Sequence, residues 1–237
     1  MSNVTRAALL RELRLAASPR QAKIARWFFK TGKGEYGAGD RFTGIRVPVV
    51  RKLAKQYREL ALVDAVRLLA STIHEHRMVA LYIMIQQFDR GDRAIQTKIY
   101  RLYVKHRRQI NNWDLVDTTA PNIVGTFLLN RPRTELYRLA RSKMLWDRRI
   151  AILATYTYIR QGDFTDTLKI ATLLVRDSHD LMHKAVGWML REVGNRDQAA
   201  EEQFLKKYYR SMPRTMLRYA IEKFPERIRK RYLAGTI

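Results

Sequence analysis

Trp113 and Asp117 lie four residues apart in the stretch Asn111-Asn112-Trp113-Asp114-Leu115-Val116-Asp117-Thr118. On a helix that spacing puts an indole and a carboxylate on one face and within contact distance. Leu115, Val116, Ala120, Ile123, Val124 and Phe127 recur as a buried helical stripe, and Asp117 falls outside it. In a chain of formal net charge +24, such a carboxylate repels the anions that the rest of the molecule attracts. Cleavage of an N-glycosidic bond is a reaction that would use it, because positive charge develops on the sugar and a fixed carboxylate stabilises it while orienting water. The plainer reading is an ion pair with Arg149, a residue that equally suits a phosphate.

Trp188 is the second residue with chemical potential. Leu181, Met182, Ala185, Val186, Met189, Leu190 and Val193 form the apolar stripe around it. Trp188 lies off that stripe, on the flank shared with Lys184, Gly187 and Arg191. An indole among cations suits stacking on a sugar or base beside phosphates. Cover by a neighbouring helix is the competing reading.

Other motifs are weaker. Gly32-Lys33-Gly34-Glu35-Tyr36-Gly37 matches G-x-G-x-x-G in form but follows a helix rather than a strand, so it reads as a flexible loop. His74 and His76 stand two apart and do not converge on a helix, which predicts a solvated helix start and no metal. Trp27-Phe28-Phe29 reads mostly as core, with one ring free to face a ligand. Arg107-Arg108 and Lys206-Lys207 suit either solvated faces or phosphate contacts. Paired carboxylates at nuclease spacing are absent from the sequence, and no cofactor motif survives.

The elements that must hold these residues are helices from end to end. Ser18-Pro19 is an N-cap followed by Pro at the first helical position, opening a helix to about Lys30. Residues 31–48 break the pattern with Gly32, Gly34, Gly37, Gly39 and Gly44. Helices then read over roughly 48–59, 62–71, 75–90, 92–108, 112–129, 134–142, 147–161, 164–176, 179–194, 197–209, 213–223 and 225–233. Pro121 is expected to shift the helical phase locally.

The helices recur. Arg77-Met78-Val79-Ala80-Leu81, Arg149-Ile150-Ala151-Ile152-Leu153 and Lys184-Ala185-Val186-Gly187-Trp188 each put a base before small and apolar residues. With Trp113 as the intermediate copy, the period is in the mid-thirties, the signature of an α-solenoid of helix pairs. The expected architecture is all-α: one domain over 1–237 of about six HEAT-like helix pairs, with the Gly-rich loop at 31–47 and a curved, basic, concave groove. In this register Trp113, Arg149 and Lys184 are equivalent positions.

Composition bounds the partners. Lys and Arg number 46 against 22 Asp and Glu, which points to a polyanion, with nucleic acid first and an anionic membrane second. No apolar run reaches spanning length, and the bases spread along the chain rather than gathering in a tail. A hydrophobic fraction of 46% argues against disorder. With no cysteine, thiol nucleophiles, disulfides and thiolate zinc sites are excluded. The first residues lack the apolar core of a signal peptide, so a reducing compartment, the cytoplasm, is expected.

Taken together, these motifs resemble the AlkD-like alkylpurine DNA glycosylases, which are built from HEAT-like repeats. The likeness covers roughly residues 20–225. It rests on Trp-Phe-Phe-Lys-Thr-Gly with its Gly-rich loop (27–44), Asn112-Trp113-Asp114-Leu115-Val116-Asp117, Trp146-Asp147-Arg148-Arg149-Ile150-Ala151, and Lys184-Ala185-Val186-Gly187-Trp188-Met189-Leu190-Arg191-Glu192. The resemblance implies excision of cationic N3- and N7-alkylated purines from duplex DNA by a monomer associated with the nucleoid, without metal or cofactor. Asp117 would be the catalytic carboxylate, and Trp113 and Trp188 would pack against the deoxyribose. Arg149, with Arg148 beside it, would hold the backbone, Trp27 would contact DNA, and Lys184 and Arg191 would support phosphates. Thr157 stands where some members carry a base. The family is understood to act without inserting the base into a pocket. With no lysine beside Asp117 in the motif, the expected chemistry is monofunctional.

Two rivals remain on the sequence: a non-catalytic solenoid that binds bent or branched DNA, and a protein–protein scaffold. Weak salt dependence of DNA binding would favour the scaffold.

Overall fold

The computed structural model describes residues 4–237. Among them the fold is all-α, and the lone β element is an isolated bridge between Arg41 and Ile73. The chain packs as two compact units, one ending at Leu115 and the other beginning at Val116.

The first unit holds α1 (Arg6–Leu15), α2 (Pro19–Phe28), α3 (Val47–Gln56), α4 (Leu62–Leu69), α5 (His74–Arg90) and α6 (Arg93–Lys105). A short 3-10 turn, Arg107–Gln109, leads to α7 (Trp113–Thr119), within which the unit boundary falls. Ser18 caps α2, its hydroxyl accepting from the Gln21 amide with Pro19 next in line, as the sequence predicts. Leu9, Leu13, Val50, Leu53 and Leu68 are buried, as are Val79, Leu81, Ile83 and Met84 along α5. α5 is the axis of this unit, with α3, α4 and α6 packed on it.

The Gly-rich loop is built into the unit, which corrects the reading of a flexible segment. The Glu75 carboxylate, buried at the start of α5, accepts from the amides of Thr43, Gly44 and Ile45. Gly44 has φ +81°, and a Cβ there would sit 2.2 Å from the Ser18 carbonyl oxygen. Both backbone conformation and space therefore require glycine at that crossing.

The second unit continues α7 into a π-helical turn, Ala120–Gly125, and α8 (Thr126–Leu128). There follow α9 (Thr134–Ala140), α10 (Leu145–Ala154), α11 (Tyr156–Ile159), α12 (Thr165–Leu174), α13 (Asp180–Gly194), α14 (Gln198–Tyr208), α15 (Arg214–Ala220) and α16 (Glu226–Ala234). Within this unit α9 packs on α10, α12 on α13, and the π turn, α10, α13 and α15 follow one another side by side. Helix pairs stacked on their neighbours are the solenoid-like pattern that the repeat predicts.

The repeat register shifts by one residue. Arg77 donates to the Ser71 carbonyl at 3.1 Å, and Arg148, not Arg149, donates to the Ser142 carbonyl at 3.1 Å. The hydroxyls of Ser71 and Ser142 each accept from the amide two residues on. Arg148 is thus the counterpart of Arg77. The Arg148-Arg149 tandem makes an apolar repeat pattern ambiguous by one position, and only this hydrogen-bonded hook resolves it.

Candidate active site

In the second unit the site starts from a proline. Pro121 has no N–H to give the Asp117 carbonyl, and its ring crowds that carbonyl in a regular α-helix. The chain answers with the wider π turn, a form that concentrates at functional positions. Its loosened carbonyls find other donors: Asn122 Nδ2 gives to Thr118 at 2.6 Å, and the hydroxyls of Thr157 and Thr126 give to Pro121 at 2.7 and 3.2 Å. Thr157, which the resemblance sets where some members carry a base, is buried and holds this turn. Gly125 is equally constrained, since a Cβ there would lie 2.3 Å from the Ala154 carbonyl oxygen.

The stripe Leu115, Val116, Ala120, Ile123, Val124 and Phe127 is buried, and Asp117 lies outside it with 17% of its side chain exposed. Arg149 grips this carboxylate with both forks: Nε donates to Oδ1 and a terminal nitrogen to Oδ2, each at 2.7 Å. The other terminal nitrogen donates to the Leu181 carbonyl. Arg149 is buried, so its cation faces the carboxylate and the start of α13. Such a bidentate pair fixes the carboxylate plane. Arg148 is also engaged, donating from Nε to Asp177 at 2.6 Å and to the carbonyls of Ser142 and Lys143.

On α13 the apolar positions Met182, Ala185, Val186, Met189, Leu190 and Val193 are buried and Trp188 is not, as its place off the stripe predicts. Its indole N–H donates to Glu192 Oε1 at 3.2 Å, and its ring centroid lies 6.2 Å from that of Tyr156. Gly187 is a correction, because it faces the core: a Cβ there would meet the Met216 carbonyl oxygen of α15 at 2.4 Å. The α13 cations carry acidic partners, Lys184 with Asp180 at 2.6 Å and Arg191 with Glu222. Lys184 and Asp180 are well exposed, so that pair contributes on the order of 0.5 kcal/mol and yields readily to a phosphate.

In the first unit Trp113 opens α7. Asn112 Oδ1 accepts from its amide at 2.8 Å, and its indole N–H donates to the Tyr36 hydroxyl at 3.3 Å. Phe29 stacks on it at 5.4 Å, Phe42 on Phe29 at 5.0 Å, and His74 on Phe42 at 4.6 Å. Phe28 meets Trp113 edge-on at 5.9 Å. Trp27 is 82% exposed and Phe28 52%, so two of the three rings expected mostly in the core face outward.

His74 ends this column, and it is buried rather than solvated. Its Nε2 lies 2.8 Å from Asp114 and its Nδ1 3.2 Å from Asp40. Arg77 donates to Asp40 Oδ1 at 2.7 Å, and Asn112 donates to Oδ2 at 3.2 Å. Burial alone would push the His74 imidazolium toward losing its proton, but hydrogen bonds to Asp114 and Asp40 outweigh it and raise its pKa. Burial likewise works to raise Asp40, and the bond to His74 and the charge of Arg77 overcome it, holding the carboxyl below its usual range.

Sequence reasoning missed Tyr36, Phe29, Phe42, Asp40 and His74 as supports of Trp113. Their contacts cross from the loop to α5 and α7, so no local periodicity records them. A polar pair, His74-Glu75, directly at a helix start after the β-branched Ile73 was the available signal.

The DNA alkylation repair enzyme family matches residues 9–224 of the chain. A solved structure titled as a predicted DNA alkylation repair enzyme from Enterococcus faecalis superposes with a TM-score of 0.69. It shares 18% identity, and the match covers 89% of this chain and 97% of that one, a likeness of fold. No curated protein matches the chain significantly. With the match running through nearly every helix described above, the chain belongs to the DNA alkylation repair enzyme family.

Proposed function

We propose that this protein is a monofunctional DNA glycosylase that hydrolyses the N-glycosidic bond of cationic N3- and N7-alkylated purines in duplex DNA. The observation that carries the reading is Asp117, a partly exposed carboxylate whose orientation is locked by Arg149 in a DNA repair family member of charge +24. An alkylated purine already carries positive charge, so its departure needs no general acid. Asp117 stabilises the oxocarbenium-like sugar and orients water, and preorganised charge of this kind contributes on the order of 3–4 kcal/mol. Trp113 and Trp188 supply aromatic faces for the deoxyribose. Trp27, Lys184 and Arg191 are assigned to DNA contact. Arg149 and Arg148 are assigned first to holding their carboxylates, with a phosphate reachable by Arg149 only through rearrangement of the pair.

Base extrusion into a pocket is not required by this chemistry. Without a lysine acting as a Schiff-base nucleophile, the strand stays intact after release. The protein acts as a monomer, without metal or cofactor, on chromosomal DNA in the cytoplasm. No helix among the described residues is long and apolar enough to cross a membrane.

The test is incubation of methylated duplex with the protein, followed by separate assays of free base and strand length. Free 7-methylguanine with full-length strands that break only on alkali treatment supports the reading. Strand breaks without alkali would overturn the monofunctional assignment. A second reading is favoured by the close engagement of Arg149 with Asp117: the pair is structural and the protein binds bent or branched DNA without excision. Duplex binding with no base released from any alkylated purine would favour it.

A further inference from the structure

From Arg93 to Trp113 the chain carries Arg93, Lys98, Arg101, Lys105, Arg107 and Arg108 and no acidic residue. Most of this run is α6, whose Ile99 and Tyr103 are buried. At 100° per residue, Arg93, Lys98, Arg101 and Lys105 fall on the opposite half of the helix, and all four are exposed. With Ala94 and Leu102 they line a surface trough of about 680 Å³.

Several helices of the molecule pair surface cations with acids. Arg138 bonds Glu135, Arg133 bonds Asp163 and Asp166, Lys184 bonds Asp180, Arg196 bonds Glu192, and Arg229 bonds Glu226. Among the described residues, the four α6 cations have no such partner. Four like charges along one side of a helix repel one another, and the fold gains nothing from placing them there.

We infer that this face of α6 is a phosphate-binding surface for duplex DNA, separate from the residues assigned to catalysis. At 1.5 Å rise per residue the four cations span about 18 Å, a length over which one strand of duplex presents about five phosphates. The face offers no large aromatic anchor of the kind that carries protein–protein affinity. Ile99 and Tyr103 are turned into the core, and the apolar groups left among the cations, Ala94 and Leu102, are too few to form a face that inserts into a lipid surface. Charge alone remains, and charge alone suits a sequence-independent phosphate backbone. The inference does not depend on Asp117 or on base release.

The experiment measures affinity for an undamaged duplex against salt, in wild type and in a Arg93→Gln/Lys98→Gln/Arg101→Gln/Lys105→Gln variant. Each lost phosphate contact flattens the slope of log K against log salt by about 0.9, so the variant slope should be shallower by roughly 3–4. Because all four side chains are exposed, the melting temperature should hold. If the quadruple variant fails to fold, Lys98→Gln and Arg101→Gln made singly should each flatten the slope by about 0.9. An unchanged slope overturns the inference and leaves a solvated face. So does an unchanged slope with lost binding to polyglutamate or to phosphatidylserine vesicles, outcomes that assign the face to an acidic protein or a membrane. A failure of the glycosylase reading would leave this measurement unaffected, since it uses undamaged DNA and no turnover.

Discussion

Each of the two units uses an arginine to hold an aspartate, and the two pairs are surrounded differently. In the first unit Asp40 has 3% of its side chain exposed, and Arg77, His74, Asn111 and Asn112 all address its oxygens. In the second unit Asp117 is held in a bidentate grip by Arg149 and keeps 17% exposure. A carboxylate surrounded by donors is spent on structure, joining the Gly-rich loop to α5 and to the approach to Trp113. A carboxylate oriented by a buried cation and still partly exposed can serve chemistry. The same residue pairing thus yields a scaffold in one place and a candidate catalyst in the other.

That difference should appear first in stability. Arg77→Met leaves Asp40 and its neighbours buried without their strongest cation and should cost about 3–5 kcal/mol in urea unfolding. Arg149→Met strands a carboxylate that can hydrate, so its cost should be smaller, on the order of 1–3 kcal/mol. Equal losses would erase the distinction between the two pairs.

A second contrast lies in Glu201, a buried carboxyl in no ion pair among the described residues. Burial pushes its pKa up to about 8, and the nearby Glu202 adds to the shift. A carboxyl raised above its unfolded value holds a proton that the unfolded chain gives up, so it destabilises the fold as pH rises from about 4.5 to 8. Glu201→Gln should therefore stabilise the protein by on the order of 2–3 kcal/mol at pH 7 and by little near pH 4.5. A pH-independent change would contradict this.

The first-unit network predicts opposite limbs. His74 is held protonated beyond its ordinary range, so its contribution is complete below about pH 6.5 and is lost as pH rises through its folded value. Asp40 is held ionised, and its contribution fades as pH falls through its lowered value. Stability against pH should lose its alkaline limb in His74→Asn, and indole fluorescence should follow if Trp113 loosens with the network. Smallest of all, Thr157→Val removes one donor from the Pro121 carbonyl and should cost about 1 kcal/mol. No measurable change would mean that the π turn stands without it.

Much of this was legible in the residues alone. The helical stripe through Leu115 to Phe127, the cap at Ser18, the phase shift at Pro121 and the exclusion of Trp188 from the core are local patterns, and the structure repeats them. The ion pair of Asp117 with Arg149 was reachable because it joins neighbouring repeats. What stayed hidden depends on distant chain segments meeting. His74 looks solvated until Asp40 and Asp114 arrive at its two nitrogens, and the Gly-rich loop looks free until Glu75 caps its amides. Gly187 reads as a flank residue because nothing local shows that α15 crosses there. The repeat offset at Arg148 is invisible to a pattern of apolar residues and plain in a single carbonyl contact.

The most direct test of Asp117 as catalyst is release of 7-methylguanine from methylated duplex by wild type and Asp117→Asn, with undamaged-duplex affinity measured alongside. Release by Asp117→Asn should be lower by on the order of 10²-fold or more, with binding unchanged or tighter because a negative charge has left a DNA-binding protein. Release at the wild-type rate, or release and binding falling together, would contradict this and return Asp117 to the role of a structural partner for Arg149.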